Sequence, residues 1–389
     1  MGRPPSHFLR RRLQVQHPLW DRVLRVDMLF SAWLEMDFVS NAEMRIRDHA
    51  LWHIREYPGA TLHTQEDILH LSVKQYIPWD NPDPQPGYVT VIGAHANAFA
   101  KELYGPLRED IICHAKTYGF RIRAIWISDV AHQGQSAVFN EDWLGNNPSW
   151  FDHSRDLLNL VNNKRTDMPP PIVGIGHSMG GSQLFVPLEG FLAIQREAAA
   201  ETFSRSPIYK AWDKRVLQNW LKYGLRDVPT PYPLDERASY DQKLTALTIA
   251  GNNIANRTIS HPDVDPALIT SFPFYLPGPS QLFEQLPHVR PSVLYVFAEK
   301  SPMCLPALCE DKLYHTGTGM DGSGGVAAGR VRSTYLEGLG HLVAQEAPNQ
   351  CAEMAARWIG PEIKRWQDKN SLITTGRKQK ISTEKRALI

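Results

Sequence analysis

The chain has 389 residues, of which 42% are hydrophobic and 21% are charged, an apolar fraction that excludes wholesale disorder. Its 42 lysine and arginine residues nearly balance 41 aspartate and glutamate residues, so the net charge of +1 excludes a chain built mainly to bind nucleic acid. Its four cysteines are too few for a disulfide scaffold, and no segment supplies the roughly 18 apolar residues of a membrane span.

The elements predicted for the first half of the chain alternate between strands and helices. Residues 1–60 carry no catalytic motif and are predicted to be an N-terminal extension. Residues 61–189 combine apolar runs, bounded by turn residues, with stretches of helical spacing. The strands are expected at residues 69–76, 88–92, 120–127 and 172–175, and the helices at 102–118 and 150–163. This alternation predicts an α/β fold with a mostly parallel sheet and helices on both faces.

The second half of the chain interrupts this alternation and then resumes it. Residues 190–290 combine a Trp- and Arg-bearing helical stretch with segments rich in Pro, Asn and Ser, and they are predicted to be an inserted helical cap. Residues 291–366 are predicted to complete the core. We expect two strands, a Gly-rich loop near His341 and a last helix, at residues 292–297, 332–336, 316–329 and 349–366. The polar, basic residues 367–389 are expected to form a tail.

The strongest functional signal is the sequence GHSMG at residues 176–180, directly after a predicted strand. G-x-S-x-G between a strand and a helix is typical of a nucleophile elbow, in which glycines permit a turn too tight for side chains beside the serine. Such a turn pushes the Oγ atom of Ser178 outward. The following helix begins with N–H groups that face a developing oxyanion. Ser178 is the predicted nucleophile, and the alternative is a Gly/Ser turn without chemistry.

A serine hydroxyl needs a base within hydrogen-bonding distance. Of the 15 histidines, His341 has the best setting, because it follows a strand and a glycine loop and lies C-terminal to the serine. Its alternative role is a loop histidine with structural hydrogen bonds. The loop after the strand at 88–92 is expected to complete an oxyanion hole, with backbone N–H donors from Asn97 (or Ala96) and Met179. His95 is expected to support that loop.

The third member of a catalytic triad is harder to assign. The position at which an aspartate normally follows the strand at 292–297 holds Ser301. Glu299 is the nearest carboxylate and the candidate acid, while Glu310 and Asp311 lie further along. Glu299 as a solvated loop charge is the alternative. An imidazole without its acid can rest in the wrong tautomer, which costs about 10⁴ in kcat in the best-studied triad.

Several motifs together resemble one group of proteins over residues 52–366. They are HIREYP at 53–58, HANAFAKELY at 95–104, DVAHQG at 129–134, DHSRDL at 152–157, GIGHSMGG at 174–181, YGLRD at 223–227 and GHLV at 340–343. The sequence resembles the fungal α/β-hydrolases of toxin and secondary-metabolite biosynthesis, which are relatives of a peroxisomal lipase. The resemblance implies an α/β-hydrolase fold and ester or thioester chemistry, with Ser178 and His341 as nucleophile and base.

The sequence departs from this group in three places. Ala98 and Ala100 stand where the group usually reads H-A-N-G-F-P. The chain ends in Ala387-Leu388-Ile389 rather than in a peroxisome-addressing tripeptide. The third departure follows the nucleophile helix, where the fold needs another core strand before the cap.

No such strand is evident between Ser182 and Leu247, and the only candidate is the run at 183–188. We hypothesise that roughly 30–40 residues are absent, about one helix, one strand and their turns. A real deletion and an error in the predicted gene would have the same effect. The loss would leave a gap in the centre of the sheet and would remove an alternative site for the acid.

The leading prediction is a serine hydrolase acting on an ester or thioester of a hydrophobic acyl compound, without a metal or organic cofactor. The resemblance implies a role in fungal secondary-metabolite biosynthesis. Two alternatives stay open: an acyltransferase or cyclase using the same Ser178–His341 pair, and a catalytically impaired protein of this fold. The expected partner is a small acyl substrate, with neither nucleic acid nor an integral membrane segment. An intracellular, cytoplasmic location is expected, and the sequence does not fix the oligomeric state.

Overall fold

The structure, a computed structural model, describes residues 33–36, 55–78, 80–81, 83–97, 99–145, 148–184, 207–223 and 282–376. The larger sheet of the described residues has five strands. They are β1 (Trp33–Met36), β2 (Val73–Pro78), β3 (Val89–Ala94), β4 (Ile122–Ser128) and β5 (Ile172–Gly176). Their order is β1-β2-β4-β3-β5. Strand β3 runs parallel to β4 and β5, and β2 runs antiparallel to β1 and β4.

A second sheet consists of the parallel strands β6 (Val293–Ala298) and β7 (Val331–Leu336). The described α-helices are α1 (Gly105–Thr117), α2 (Gly134–Phe139), α3 (Trp150–Asn163), α4 (Met179–Leu184), α5 (Pro207–Lys210), α6 (Lys214–Tyr223), α7 (Pro306–His315), α8 (Val343–Glu346) and α9 (Pro348–Gly376). Short 3-10 turns lie at Pro58–Ala60, Lys101–Tyr104 and Leu286–His288.

Both faces of the larger sheet are apolar. Consecutive residues of a strand point to opposite faces, and Val91 and Ile92, consecutive residues of β3, are both apolar. Val91 of β3 belongs to a buried cluster with Ile111 of α1 and Ile359 of α9. The next residue, Ile92, belongs to a different cluster with Leu160 of α3. The sheet therefore carries helices on both faces, as the alternation of strands and helices predicts.

Strand β5, which precedes the predicted gap in the chain, is an edge strand among the described residues. Strands β5 and β6 belong to separate sheets in the described residues, and Ile172 on β5 is 42% exposed. A strand in the centre of a sheet normally pairs with a neighbouring strand on each side. The hypothesis of an absent strand places the loss between β5 and β6. Residues 185–206, which follow α4, lie outside the described residues, as does the predicted cap apart from 207–223 and 282–290. The hypothesis therefore stays a prediction.

Several predicted boundaries need correction. Strand β2 begins at Val73 rather than residue 69, because residues 69–72 form no strand pairs. Helix α9 continues to Gly376, so the first part of the predicted tail is helical. The strand β1 lies within the predicted N-terminal extension and pairs with β2. The rest of that extension up to residue 54 lies outside the described residues.

The Gly-rich loop is also placed differently from the expectation. Gly317 and Gly319 donate their N–H groups to the carbonyls of Leu286 and Pro287, at 2.8 and 2.9 Å. These partners precede β6 in the chain, so the loop lies at the amino end of the smaller sheet. His341 follows the carboxyl end of β7, which is the opposite end.

Candidate active site

Ser178 occupies a sharp turn between β5 and α4. Its φ angle is 50°, in the left-handed region that non-glycine residues rarely adopt. The flanking glycines are required by space, because a Cβ atom at Gly176 would lie 2.4 Å from the carbonyl oxygen of Gly180. A Cβ atom at Gly180 would lie 2.0 Å from the carbonyl oxygen of Ala94 on β3. The motif therefore folds into the strained elbow that its sequence predicts.

The structure brings Ser178 and His341 together. The Nε2 atom of His341 lies 2.9 Å from the Oγ atom of Ser178. On the other side of the ring, Nδ1 lies 2.9 Å from the Oγ atom of Ser301. The loops after β5, β6 and β7 thus meet at one point, with an imidazole between two hydroxyls.

Glu299, the candidate acid, is directed elsewhere. Its Oε2 atom accepts a hydrogen bond from the backbone N–H of Gly338 at 2.7 Å, on the exposed side of the loop. The geometry does not bring this carboxylate to the imidazole, and the Nδ1 position is taken by Ser301. Glu310 and Asp311 lie within α7, on positions exposed to solvent.

The surroundings of His341 favour its neutral imidazole by lowering its pKa. Partial burial lowers its pKa from the usual range, and the positive charge of Lys312 on α7 lowers the pKa further. A neutral imidazole at physiological pH has the free lone pair on Nε2 that a general base requires.

A second histidine, His177, links the elbow to the other loops. Its Nε2–H donates to the carbonyl of His341 at 3.0 Å, which leaves Nδ1 to accept from the hydroxyl of Tyr104 at 2.9 Å. That hydroxyl in turn accepts from the N–H of Ala96 at 2.8 Å. Desolvation lowers the pKa of His177 to about 4, so the ring stays neutral and this hydrogen-bond pattern persists across neutral pH.

The roles of Tyr104 and His177 are absent from the sequence prediction. Tyr104 and His177 are 73 positions apart, so no local periodicity joins them. The only signals in the sequence are a histidine before the elbow serine and a tyrosine in the HANAFAKELY motif.

His95, the predicted support of the oxyanion loop, contacts that loop through its ring. Its Nε2 atom accepts from the N–H of Val130 at 2.9 Å, so Nδ1 carries the proton and donates to the carbonyl of Ala96 at 2.7 Å. Burial lowers the pKa of His95, which keeps the ring in this neutral tautomer. Asn97, the predicted donor, accepts from the side chain of Gln133 through its own Oδ1 at 2.5 Å. The loop is thereby fixed from two sides.

A buried ion pair closes the same loop. The Nζ atom of Lys101 lies 2.6 Å from Oδ2 of Asp129, and both side chains are fully buried. The other carboxylate oxygen accepts from the backbone N–H of Lys101 at 2.9 Å, and Oδ2 also accepts from the N–H of Gln135 at 2.9 Å. The Asp129 carboxylate thus accepts from the ammonium group and from two backbone N–H groups, which compensates for the burial of its charge.

Helix α6 packs directly on the oxyanion loop. The ring of Phe99 lies 5.8 Å from that of Trp212 and 5.9 Å from that of Trp220. All three side chains are buried. Trp212, just before α6, and Trp220, within it, are therefore packing residues, and they attach the described part of the predicted cap to the loop beside Ser178. Met179, the second predicted oxyanion donor, begins α4 and is fully buried.

Comparison with known proteins identifies the family. The alpha/beta hydrolase family matches residues 112–354, a span that contains Ser178, Ser301 and His341. The chain belongs to this family. The predicted α/β-hydrolase fold and the predicted class of enzyme, a hydrolase, are confirmed.

The chain is similar to two curated acyl-CoA thioesterases and to one solved α/β-hydrolase structure. A type I acyl-CoA thioesterase, mpaH', of Penicillium brevicompactum is 33% identical over 397 residues, covering 85% of this chain and 90% of the relative. The type I acyl-CoA thioesterase mpaH of Penicillium roqueforti (strain FM164) is 32% identical, with the same coverage. The peroxisomal alpha-beta-hydrolase Lpx1 of Saccharomyces cerevisiae covers 85% of this chain and 91% of its own, with a TM-score of 0.55 at 16% identity. The likeness to Lpx1 shows the fold alone. The resemblance inferred from the motifs is confirmed.

Among the residues that the structure describes, no helix is both long and apolar enough to cross a membrane.

Proposed function

We propose that the protein hydrolyses the thioester of an acyl-CoA, with Ser178 as nucleophile and His341 as general base. The observation that carries the proposal is the 2.9 Å contact between Nε2 of His341 and Oγ of Ser178, on a serine held at a φ angle of 50°. A positioned base within this distance activates a serine hydroxyl. The choice of a CoA thioester is supported by acyl-CoA thioesterases that are about one third identical to this chain over most of both chains.

The reaction follows from the arrangement of the groups. In the first half, Oγ of Ser178 attacks the carbonyl carbon while Nε2 of His341 accepts the hydroxyl proton. The C–S bond then breaks, the thiol leaves with that proton, and the acyl group stays on Ser178 as an ester. In the second half, His341 takes a proton from water, whose oxygen attacks the acyl carbon. The C–O bond to Ser178 breaks, His341 returns the proton to Oγ of Ser178, and the free carboxylic acid leaves.

The negative charge that develops on the carbonyl oxygen needs donors. Backbone N–H groups of Asn97 and Met179 are the proposed donors, because they belong to the loop after β3 and to the first residue of α4. The bonds of His95 and Gln133 hold that loop in place before substrate binds. Loss of one such donor typically costs about 10²–10³ in rate.

The test combines active-site labelling with substrate turnover. A fluorescent fluorophosphonate is expected to label the wild-type protein, and release of free thiol from medium- and long-chain acyl-CoA esters is expected to follow. In Ser178→Ala both signals are expected to fall by about 10⁴-fold or more, because the nucleophile is lost. Ser323→Ala serves as the matched control, since Ser323 lies in the Gly-rich loop at the amino end of β6. Absence of labelling in the folded wild-type protein would instead indicate an impaired hydrolase.

Analysis of products distinguishes hydrolysis from acyl transfer. With water alone the expected product is the free acid. With an added alcohol or amine, formation of an ester or amide in place of the acid would assign the protein as an acyltransferase using the same Ser178–His341 pair. The intracellular, cytoplasmic location inferred from the sequence stays a prediction, which microscopy of a fluorescent fusion tests.

A further inference from the structure

The loop after β6 is fastened to the loop after β7 by its backbone. The N–H of Lys300 donates to the carbonyl of Leu339 at 2.9 Å. The Glu299 carboxylate accepts from the N–H of Gly338 at 2.7 Å. These bonds hold the backbone of residue 301 beside the imidazole, independently of the contacts that the Ser301 side chain makes.

The hydrogen bonds around Ser301 match the tautomer that the proposed base requires. In that tautomer Nε2 of His341 accepts from the hydroxyl of Ser178, so the ring proton of the neutral imidazole is on Nδ1. That proton is donated to Oγ of Ser301 at 2.9 Å. The same Oγ atom accepts from the N–H of Met303 at 3.2 Å. Two donors thus converge on Ser301, which orients its lone pairs toward the ring.

The other charged and titratable groups near the ring do not replace this contact. Glu299 and Glu346 each accept from a backbone N–H of the loop that carries the base, at 2.7 and 2.8 Å. His177, from the elbow, donates to the carbonyl of His341 and not to its ring. Lys312, from α7, contributes a positive charge. Within the described residues, the hydrogen-bond partners of the ring nitrogens are therefore the two hydroxyls, while the ring of His177 lies 5.8 Å from that of His341, centroid to centroid.

We propose that Ser301 is the positioning residue of this site, and that its hydroxyl holds His341 in the tautomer and orientation required of the base, at the position where a carboxylate normally stands. The inference rests on the proposed roles of Ser178 and His341. The functional unit is then Ser178–His341–Ser301.

This arrangement has a chemical consequence. A hydroxyl fixes the Nδ1 proton as a carboxylate does, but it supplies no negative charge to the imidazolium that forms when Ser178 gives up its proton. Hydrogen bonds with an ionised partner are roughly twice as strong as neutral ones. The orientation of the base is therefore preserved, while its charged form is less stabilised than in a triad with an acid.

Two substitutions at residue 301 test the proposal, with the rate of fluorophosphonate labelling as the readout. Ser301→Ala is expected to slow labelling by about 10- to 100-fold, the effect of losing one hydrogen bond to a group that becomes charged. Ser301→Asp is expected to label about tenfold faster than wild type or more, because the new carboxylate stabilises the imidazolium. Circular dichroism confirms folding, and Ser323→Ala is the matched control with unchanged rate.

The pH dependence of labelling separates positioning from a merely structural role. A carboxylate beside Nδ1 favours the protonated imidazole and raises its pKa, so the rise of the rate with pH is expected at higher pH in Ser301→Asp than in wild type. Asp368→Asn, which removes an exposed carboxylate from α9, is the control that is expected to leave this profile in place. A wild-type rate in Ser301→Ala, or an unmoved profile in Ser301→Asp, would overturn the proposal, and a larger loss of rate in Glu299→Gln than in Ser301→Ala would return the role to that carboxylate.

The readout also keeps the two proposals separate. Fluorophosphonate reports the reactivity of Ser178 without any assumption about the acyl substrate. If no acyl-CoA releases thiol while labelling persists and responds to residue 301 as expected, the substrate proposal fails and the role of Ser301 stands. If acyl-CoA turnover occurs but substitutions at residue 301 have no influence on labelling, the role of Ser301 fails and the substrate proposal stands.

Discussion

The nucleophile half of the site, from β3 to α4, and the base half, from β6 to α9, are held in place by different interactions. In the nucleophile half, the elbow glycines pack against backbone atoms of β3, and the fully buried Lys101–Asp129 pair closes the loop after β3, the predicted oxyanion loop. In the base half, Ser301 and His341 lie on half-buried loops at the end of a two-stranded sheet. The position of the nucleophile is therefore determined by its own core, whereas that of the base depends on how the smaller sheet docks.

The two halves meet at the site itself and along a pair of helices that share one buried apolar cluster. Ser178 and His177 contact the base loop through the imidazole and the carbonyl of His341. Farther away, α9 packs on α1, where a Cβ atom at Gly360 would lie 2.4 Å from the carbonyl oxygen of Tyr118. We therefore expect substitutions in the nucleophile half to act mainly on stability, and substitutions in the base half to act mainly on rate.

The largest expected effect breaks the buried ion pair of the nucleophile half. Asp129→Asn leaves the buried ammonium group of Lys101 with Glu102, 3.1 Å away, as its remaining acidic partner. Removing one partner of a buried pair typically costs about 3–5 kcal/mol in the free energy of unfolding. Urea denaturation followed by circular dichroism measures the loss. Asp321→Asn is the control, because Asp321 pairs with Arg290 on the exposed surface. Equal midpoints for the two variants would contradict the assignment.

A smaller effect is expected where the two halves dock. Gly360→Ala places a methyl group against the carbonyl of Tyr118, so α9 must shift on α1. Overpacking of this kind typically costs about 1–3 kcal/mol. Because α9 packs on both α1 and β6, the variant is expected to lose labelling rate at temperatures at which it is still folded. Lys364→Ala, on the exposed side of α9, is the control. A lower melting temperature with an unchanged labelling rate would show that the base half does not depend on this contact.

The sequence predicts the nucleophile half better than the base half, and the reason is physical. The elbow is local, because strand, glycines and serine are contiguous and each constrains the next. Helix α3 is also local, since Ser149 and Asp152 form a reciprocal capping box at its start, and its predicted bounds at residues 150–163 match the structure. Local rules suffice for both elements.

The base half depends on contacts between loops that are far apart in the sequence. Glu299 and Ser301 are two residues apart, and only the bond from Gly338 to Glu299 turns that carboxylate away from the ring. Helix α7 escaped prediction because it has no strong apolar periodicity and only Cys309 is buried in it. The partner of a catalytic histidine is thus decided by tertiary contacts that periodicity and motif spacing do not encode.

The smallest expected effect tests the electrostatics of the base half alone. The positive charge of Lys312 lowers the pKa of His341, so Lys312→Gln is expected to raise that pKa. The imidazole is inactive when protonated, and the rise of the labelling rate with pH is therefore expected at higher pH in the variant. Labelling rates between pH 4 and 8 at low salt measure the change, and Lys364→Gln is the control.

Salt provides a further check on this last effect, because Lys312 is only half-buried and its charge is screened by ions. The difference between Lys312→Gln and wild type should shrink as salt is added, whereas the difference between Ser301→Asp and wild type should persist, since that carboxylate would contact the ring directly. A pH profile in Lys312→Gln that coincides at low salt with that of wild type, or lies at lower pH, would show that the positive charge of Lys312 does not lower the pKa of His341.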